Sequence, residues 1–171
     1  MYADSLEQAV RAEIEPTITA LGFTLVELSV GRRKGVSHVV IVVHRSGGVG
    51  VEQCAEVSRA ILPRLALVEG LADTALEVSS PGIERTFKSP AEYGIFVGRG
   101  VRVLPAEGGE WIGGVISGWR DGTLALATPG GVREFPEGGI RRARLDYRLD
   151  PPEARAAGKR SNDSGERSHA V

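Results

Sequence analysis

The sequence predicts an α+β protein of two domains. The first is an αββαβ domain, a three-stranded sheet with two helices on one face, and the second is a small all-β barrel. Three observations predict it. Apolar residues recur at helical spacing twice in the first half, at Leu6, Val10, Ile14, Ile18 and Leu21 and again at Cys54, Val57, Ile61 and Leu65. Short β-branched runs lie between and after these stripes. Beyond Gly100 the rhythm becomes that of short strands punctuated by Gly-containing turns.

Taken in order, Ser5 with Gln8 forms a capping-box start for the first helix, and Gly22 is its stop. Pro16 lies inside and should kink the helix or end its first half. Phe23–Val30 reads as a strand with Val26, Leu28 and Val30 on one face. The segment 31–36, carrying Arg32, Arg33 and Lys34, reads as a polar turn. Val39–Val43 is a continuous β-branched run, as expected of a strand buried on both faces, and Gly47 and Gly48 break it. The second helix spans Val51–Leu67, and Cys54 on its inner stripe reads as a small core residue rather than a nucleophile. Thr74–Ser79 is the third strand, with Leu76 and Val78 on one face. The order helix, strand, strand, helix, strand then gives one sheet covered on one face.

Ser79–Arg85 reads SSPGIER. Pro81-Gly82 suits a type II turn, which would hold Gly82 at positive φ. The domain boundary falls here, dividing 1–82 from 83–149. Ser89-Pro90-Ala91-Glu92 is a helix start with cap, N-terminal proline and an acid. That short helix carries Tyr93, Ile95 and Phe96 and ends near Gly98. Strands follow at Val101–Pro105, Glu110–Trp119, Thr123–Thr128, Val132–Pro136 and Ile140–Tyr147, with hairpin turns at Asp121-Gly122 and Gly130-Gly131. Glu137-Gly138-Gly139 suits a brief helical turn before the last strand. Together these predict a partly open barrel of the SH3-like or Sm-like kind. Residues 150–171 lack periodicity and read as a disordered tail.

Composition narrows the function. Hydrophobic residues make up 42% and charged residues 25% of the chain, the balance of an ordinary soluble protein. No apolar run approaches the ~20 residues that span a bilayer. The first ten residues carry acids where a signal peptide is basic, so the expected compartment is the cytoplasm. A lone cysteine, Cys54, cannot form an internal disulfide, which fits a reducing compartment. The net charge of −1 excludes a generic polyanion binder. Its distribution is uneven: 7 Lys/Arg face 10 Asp/Glu in residues 1–80, but 10 face 8 in residues 81–149. The basic middle is almost all Arg, the residue that forks onto phosphate and stacks on bases. Charge alone leaves RNA contact and a plain solvated surface equally open.

No catalytic constellation is evident. His38 and His44 share a strand face but stand about 20 Å apart, too far to share a metal, and read as solvated strand-end residues. His169 lies in the tail. There is no His/Cys cluster, P-loop or dinucleotide fingerprint. Ser79 and Ser80 lack a neighbouring base and are explained by turn hydrogen bonds. Trp111 and Trp119, eight apart on one predicted strand, would share a face, where they either stack on bases or pack a barrel core. Arg142 and Arg144 share one strand face with Ile140, while Arg141 joins Ala143 and Leu145 on the other. The arginine pair is either a solvated surface or a phosphate contact.

Four stretches carry a family resemblance. Leu76–Val103 (LEVSSPGIERTFKSPAEYGIFVGRGVRV) resembles the signature region of the ribosome maturation factor RimP family. Leu21–Leu28 (LGFTLVEL), Gly47–Ala60 with its CAEVSRA helix, and Ile140–Leu145 (IRRARL) match in family order, so the resemblance covers nearly all of residues 5–148. Departures are local. Thr86-Phe87 replaces Pro-Leu, which should leave the chain after the turn less rigid. His44-Arg45 replaces an acid-containing strand end. Gly50 replaces a capping Thr, which should weaken that cap by some tenths of a kcal/mol.

The resemblance implies an α/β domain followed by an Sm-like barrel. It implies transient binding to the immature small (30S) ribosomal subunit, touching 16S-type rRNA and small-subunit ribosomal proteins of the decoding region. It implies no reaction and no cofactor. No membrane or DNA partner is expected, and with no coiled-coil or swapped segment evident the chain is read as a monomer. The candidate binding residues are Ser80, Pro81, Gly82, Arg85 and Lys88 in the interdomain turn, with Arg85 and Lys88 free to meet RNA or to pair with acids across the domain boundary. Arg32, Arg33, Lys34, Arg142 and Arg144 are candidate contacts to RNA or protein. Two other readings compete: a general Sm-like regulatory RNA binder, and a small hydrolase with an undetected site. The α/β domain and the SSPG…R…K run disfavour the first, and the missing acid/base set disfavours the second.

Overall fold

The first helix, α1 (Tyr2–Ala20), begins before the Ser5–Gln8 pattern and passes through Pro16 without ending. Proline removes one backbone hydrogen bond there. The helix persists because Val10, Ile14 and Ile18 are all fully buried on one stripe, so packing outweighs that local defect. Gly22 ends it as expected, at φ +83°. Phe23 N–H donates to Ile18 O and Gly22 N–H to Thr19 O, the paired bonds of a Schellman stop. The computed structural model describes residues 2–71 and 73–155, and the chain divides into two units between Pro81 and Gly82.

In the first unit, β1 (Thr24–Arg33) and β2 (Val36–His44) form an antiparallel hairpin, and β3 (Thr74–Ser79) adds parallel to β2. The crossover between these parallel strands runs through α2 (Val51–Leu65). The order β1-β2-β3 places the β-branched strand in the centre. Val10, Ile14, Ile18, Val57, Ile61 and Leu65 from the helices join Leu25, Leu28, Val39, Ile41 and Val43 in one core, so both helices cover the same face.

Three details differ from expectation. A bulge between Leu25 and Glu27 shifts the register of β1, so Leu25 joins Leu28 and Val30 on the core side and Val26 does not. β1 also continues to Arg33, which reduces the expected six-residue turn to Lys34-Gly35. Of the two strand histidines, His38 is exposed but His44 is buried, so His44 is not the solvated strand-end residue the sequence suggests. Gly50 caps α2 with half of a capping box: its N–H donates to Gln53 Oε1 at 2.9 Å, and with no side chain it returns nothing.

The second unit opens with α3 (Ala91–Ile95) and five strands, β4 (Gly100–Pro105), β5 (Ile112–Arg120), β6 (Thr123–Thr128), β7 (Gly131–Pro136) and β8 (Ile140–Leu145). A 3-10 turn at Glu137–Gly139 precedes β8, where the sequence placed one. The strands make one antiparallel sheet of order β7-β6-β5-β4-β8. β7 and β8 are its two ends and do not pair with each other, so no hydrogen-bonded barrel closes. Val101, Val103, Ile116, Leu124, Leu126, Phe135, Ala143 and Leu145 are buried on the inner face.

The expected disorder from residue 150 is corrected at its start. A second 3-10 turn (Tyr147–Leu149) leads to Asp150, which is only 5% exposed. Residues 156–171 lie outside the described residues. Among the described residues, no helix is long and apolar enough to cross a membrane.

Candidate functional site

The turn between the units is not type II. Arg85 N–H donates to Gly82 O, so the tight turn is Gly82-Ile83-Glu84-Arg85, with Gly82 at its first position. Gly82 does not have positive φ, and a Cβ there would meet nothing within 4 Å. Its role as a strained pivot therefore falls away. Ser80 is exposed and Pro81 half-buried.

Beyond this turn the chain is held firmly, contrary to the expectation from Thr86-Phe87. Leu145 N–H donates to Arg85 O and Phe87 N–H to Ala143 O, and Thr86 bridges Arg144, so the segment pairs with the outer edge of β8. The Phe87 ring stacks on Phe96 at 5.2 Å and tilts against Tyr93 at 5.4 Å. Tyr93 in turn packs on Trp119 at 5.0 Å. An unexpected phenylalanine thus stiffens the region in place of proline.

Arg85 is not free to meet RNA. Its Nε and Nη2 donate to Glu92 at 2.7 and 3.0 Å, and Lys88 N–H donates to the same carboxylate at 3.1 Å. The side chains of Arg85 and Glu92 are 9% and 2% exposed, so this is a buried, forked ion pair inside the second unit. Sequence reasoning read Glu92 as a helix-start acid and missed its partner, although seven residues across a proline-started helix is a reachable span.

Two more buried carboxylates were missed. Arg99 forks onto Asp150 at 3.0 Å through both Nε and Nη2, and Asp150 also accepts from Gly100 N–H. Arg102 Nε donates to Asp146 at 2.6 Å, and Asp146 accepts from Arg148 N–H. The hydrogen bond from Arg102 is the main reason the Asp146 carboxyl is held below its usual range. These contacts strap the segment after β8 across β4. The strap lies so close that a Cβ at Gly100 would sit 2.5 Å from Asp150 N and Leu149 C. The signal available in the sequence was Asp146 followed two residues later by Arg148, an Asx-turn pattern.

The β8 arginines separate. Arg142 is exposed. Arg144 is partly covered: Nη1 lies 3.7 Å from Glu84, and its guanidinium sits 5.4 Å from the Trp111 ring centre. Arg141, exposed, lines a shallow groove with Arg142, Lys88, Phe87, Tyr93 and Glu137. The two tryptophans do not share a face. A bulge between Ile116 and Gly118 shifts β5, so Trp119 pairs with buried Leu124 on the inner side. Trp111 precedes the bulge and lies with Arg144, the register partner of Arg102.

In the first unit, Arg32, Arg33, Lys34 and Gly35 are all exposed at the hairpin tip. Lys34 and Gly35 have φ +50° and +84°, the two left-handed residues of a type I′ turn. Arg32 pairs with Ser37 and Arg33 with Val36, so the arginines leave opposite faces of the ribbon. Cys54 on α2 is half-buried, and burial pushes its thiol above the ordinary value, which disfavours the reactive thiolate.

The arrangement offers charged, forked donors on a rigid hairpin and an internally braced second unit. Residues 13–84, which contain that hairpin and run to Glu84 in the turn, match the family model described as the RimP N-terminal domain, a match that supports the RimP family of ribosome maturation factors.

Proposed function

We propose that the chain assists maturation of the small (30S) ribosomal subunit by transient binding to its immature particles. The contacts would be with rRNA, with ribosomal proteins near the decoding region, or with both. It acts by binding, without a reaction and without a cofactor, as a cytoplasmic monomer. The second unit is read as an SH3-like or Sm-like domain left open between its end strands. The match of residues 13–84 to the RimP N-terminal domain carries this reading. It favours an assembly factor over a general Sm-like RNA regulator, which would not need that first unit.

The test is sedimentation of a cell extract on a sucrose gradient. The protein should travel with free small subunits and be absent from translating ribosomes. Deleting the gene should slow growth and accumulate free or immature small subunits, with large subunits in excess. A normal subunit profile in the deletion strain would overturn the proposal.

A further inference from the structure

We infer that the tip of the β1–β2 hairpin is an arm that grips duplex RNA, its cations meeting phosphates on both sides of a groove. The choice of RNA as the polyanion rests on the assembly reading above. The geometry of the arm stands independently of it.

The pairing of β2 with β3 begins only at Ser37, opposite Thr74. Arg32, the partner of Ser37, is therefore level with the end of the third strand, and residues 33–36 extend past it as the hairpin tip. Arg32, Arg33 and Lys34 are exposed and make no ion pair with a described residue. Asp73, at the foot of the arm, gives its backbone carbonyl to Ser37 N–H at 3.0 Å.

The turn residue is the more telling observation. The second unit contains another two-residue turn of the same kind, Asp121-Gly122, at φ +49° and +72°. There the left-handed position holds Asp, which tolerates that conformation well. In the first hairpin the same position holds Lys, which does not, although Asn or Asp would make a better turn. A side chain kept where local conformation disfavours it points to a use for the side chain itself. That use is a positive charge at the apex.

The directions of the three cations select the partner. Arg32 shares the face of Ser37 and Val39, whereas Arg33 shares the opposite face with Val36. Guanidinium groups leaving opposite sides of a ribbon cannot converge on one phosphate. They can meet two phosphate chains that flank it, with Lys34 between them. A duplex presents two such chains, and a single strand presents one. Recognition of this kind reads backbone shape and charge, not base sequence.

The experiment measures binding of the full chain to a short labelled RNA duplex across a salt series. Single-stranded RNA of the same sequence, a DNA duplex and phosphatidylglycerol vesicles serve as competitors. Arg32→Gln and Arg33→Gln should each lower the slope of log K against log salt by about 0.9, and the double variant by roughly twice that. Lys34→Asn should lower the slope in the same way without lowering the melting temperature, because Asn-Gly is the preferred type I′ pair. Gly35→Val keeps every charge but strains the turn, and should weaken duplex binding several-fold. Arg59→Gln, an equal loss of charge on the exposed side of α2, should leave the slope unchanged.

Equal slopes for all the hairpin variants and wild type would overturn the inference. So would an equal effect from Arg59→Gln, or preferential binding to single strands, DNA or vesicles. Co-sedimentation with purified small subunits separates the two readings. A wild-type chain that ignores small subunits but grips duplex RNA through this tip would refute the proposed function and leave the arm standing. Small-subunit binding with an inert tip would refute the arm alone.

Discussion

In the first unit Arg32, Arg33 and Lys34 stand exposed at a hairpin tip, whereas in the second unit Arg85, Arg99 and Arg102 each donate to a carboxylate that is almost fully buried. The charge count pointed the other way. Residues 81–149 are the basic part of the chain and residues 1–80 the acidic part. Three of those arginines are tied up inside the second unit, Arg85 holding the post-turn chain with Glu92, and Arg102 and Arg99 the terminal strap with Asp146 and Asp150. Net charge along a sequence counts ions, but a partner meets only those left exposed. A buried Arg–carboxylate fork organises its own fold, whereas an exposed cation on a rigid turn is available to a partner.

The comparison is broken most severely by removing a buried carboxylate. Glu92→Ala takes from Arg85 its forked partner and should destabilise the second unit by about 3–5 kcal/mol. Denaturant unfolding measures this, and a loss below about 1 kcal/mol would mean that Arg85 is not held as described. Gly100→Ala drives a Cβ against the backbone of the strap. It should cost about 1–3 kcal/mol and loosen Tyr147–Asp150, which hydrogen exchange would register as lost protection at Asp146 and Asp150.

Acid should weaken the strap but not the hairpin. The Asp146 carboxyl titrates below its unfolded value of about 3.9. Its contribution is therefore full above that value and is lost as pH falls through the lower, folded one. Asp146→Asn should remove about 2 kcal/mol at neutral pH and flatten the acid limb of the stability profile of the second unit. An unchanged acid limb would exclude Asp146 as its source.

The smallest effects sharpen the contrast. Arg32→Ala and Arg33→Ala should change stability by no more than about 0.5 kcal/mol, because they remove exposed groups that make no ion pair with a described residue. Gly82→Val should be similarly mild, since the residue lies in open space without positive φ. A melting temperature that fell as far for Arg32→Ala as for Glu92→Ala would erase the distinction between the two regions.

What the sequence determined by itself was everything that rests on local periodicity. The stripes of α1 and α2, Thr74–Ser79, Thr123–Thr128 and the Gly22 stop were all legible, because each depends on residues a few positions apart. The α+β order in two units and the family resemblance followed from the same short-range patterns. Tertiary structure decided whatever depends on register or on distant partners. The bulges in β1 and β5 each add one residue to a strand, which moves Val26 off the core face and parts Trp119 from Trp111. A single inserted residue reverses every later side chain of a strand, and no composition signal announces it. Glu92 read as a helix-start acid and Asp150 as the start of a tail, and nothing marked Asp146 as buried, until Arg85, Arg99 and Arg102 were brought to them from as far as 51 residues away. The same logic separates the candidate cations. Their side-chain chemistry was visible from the start, but which of them a partner can reach is set by burial and pairing, and those exist only in the folded chain.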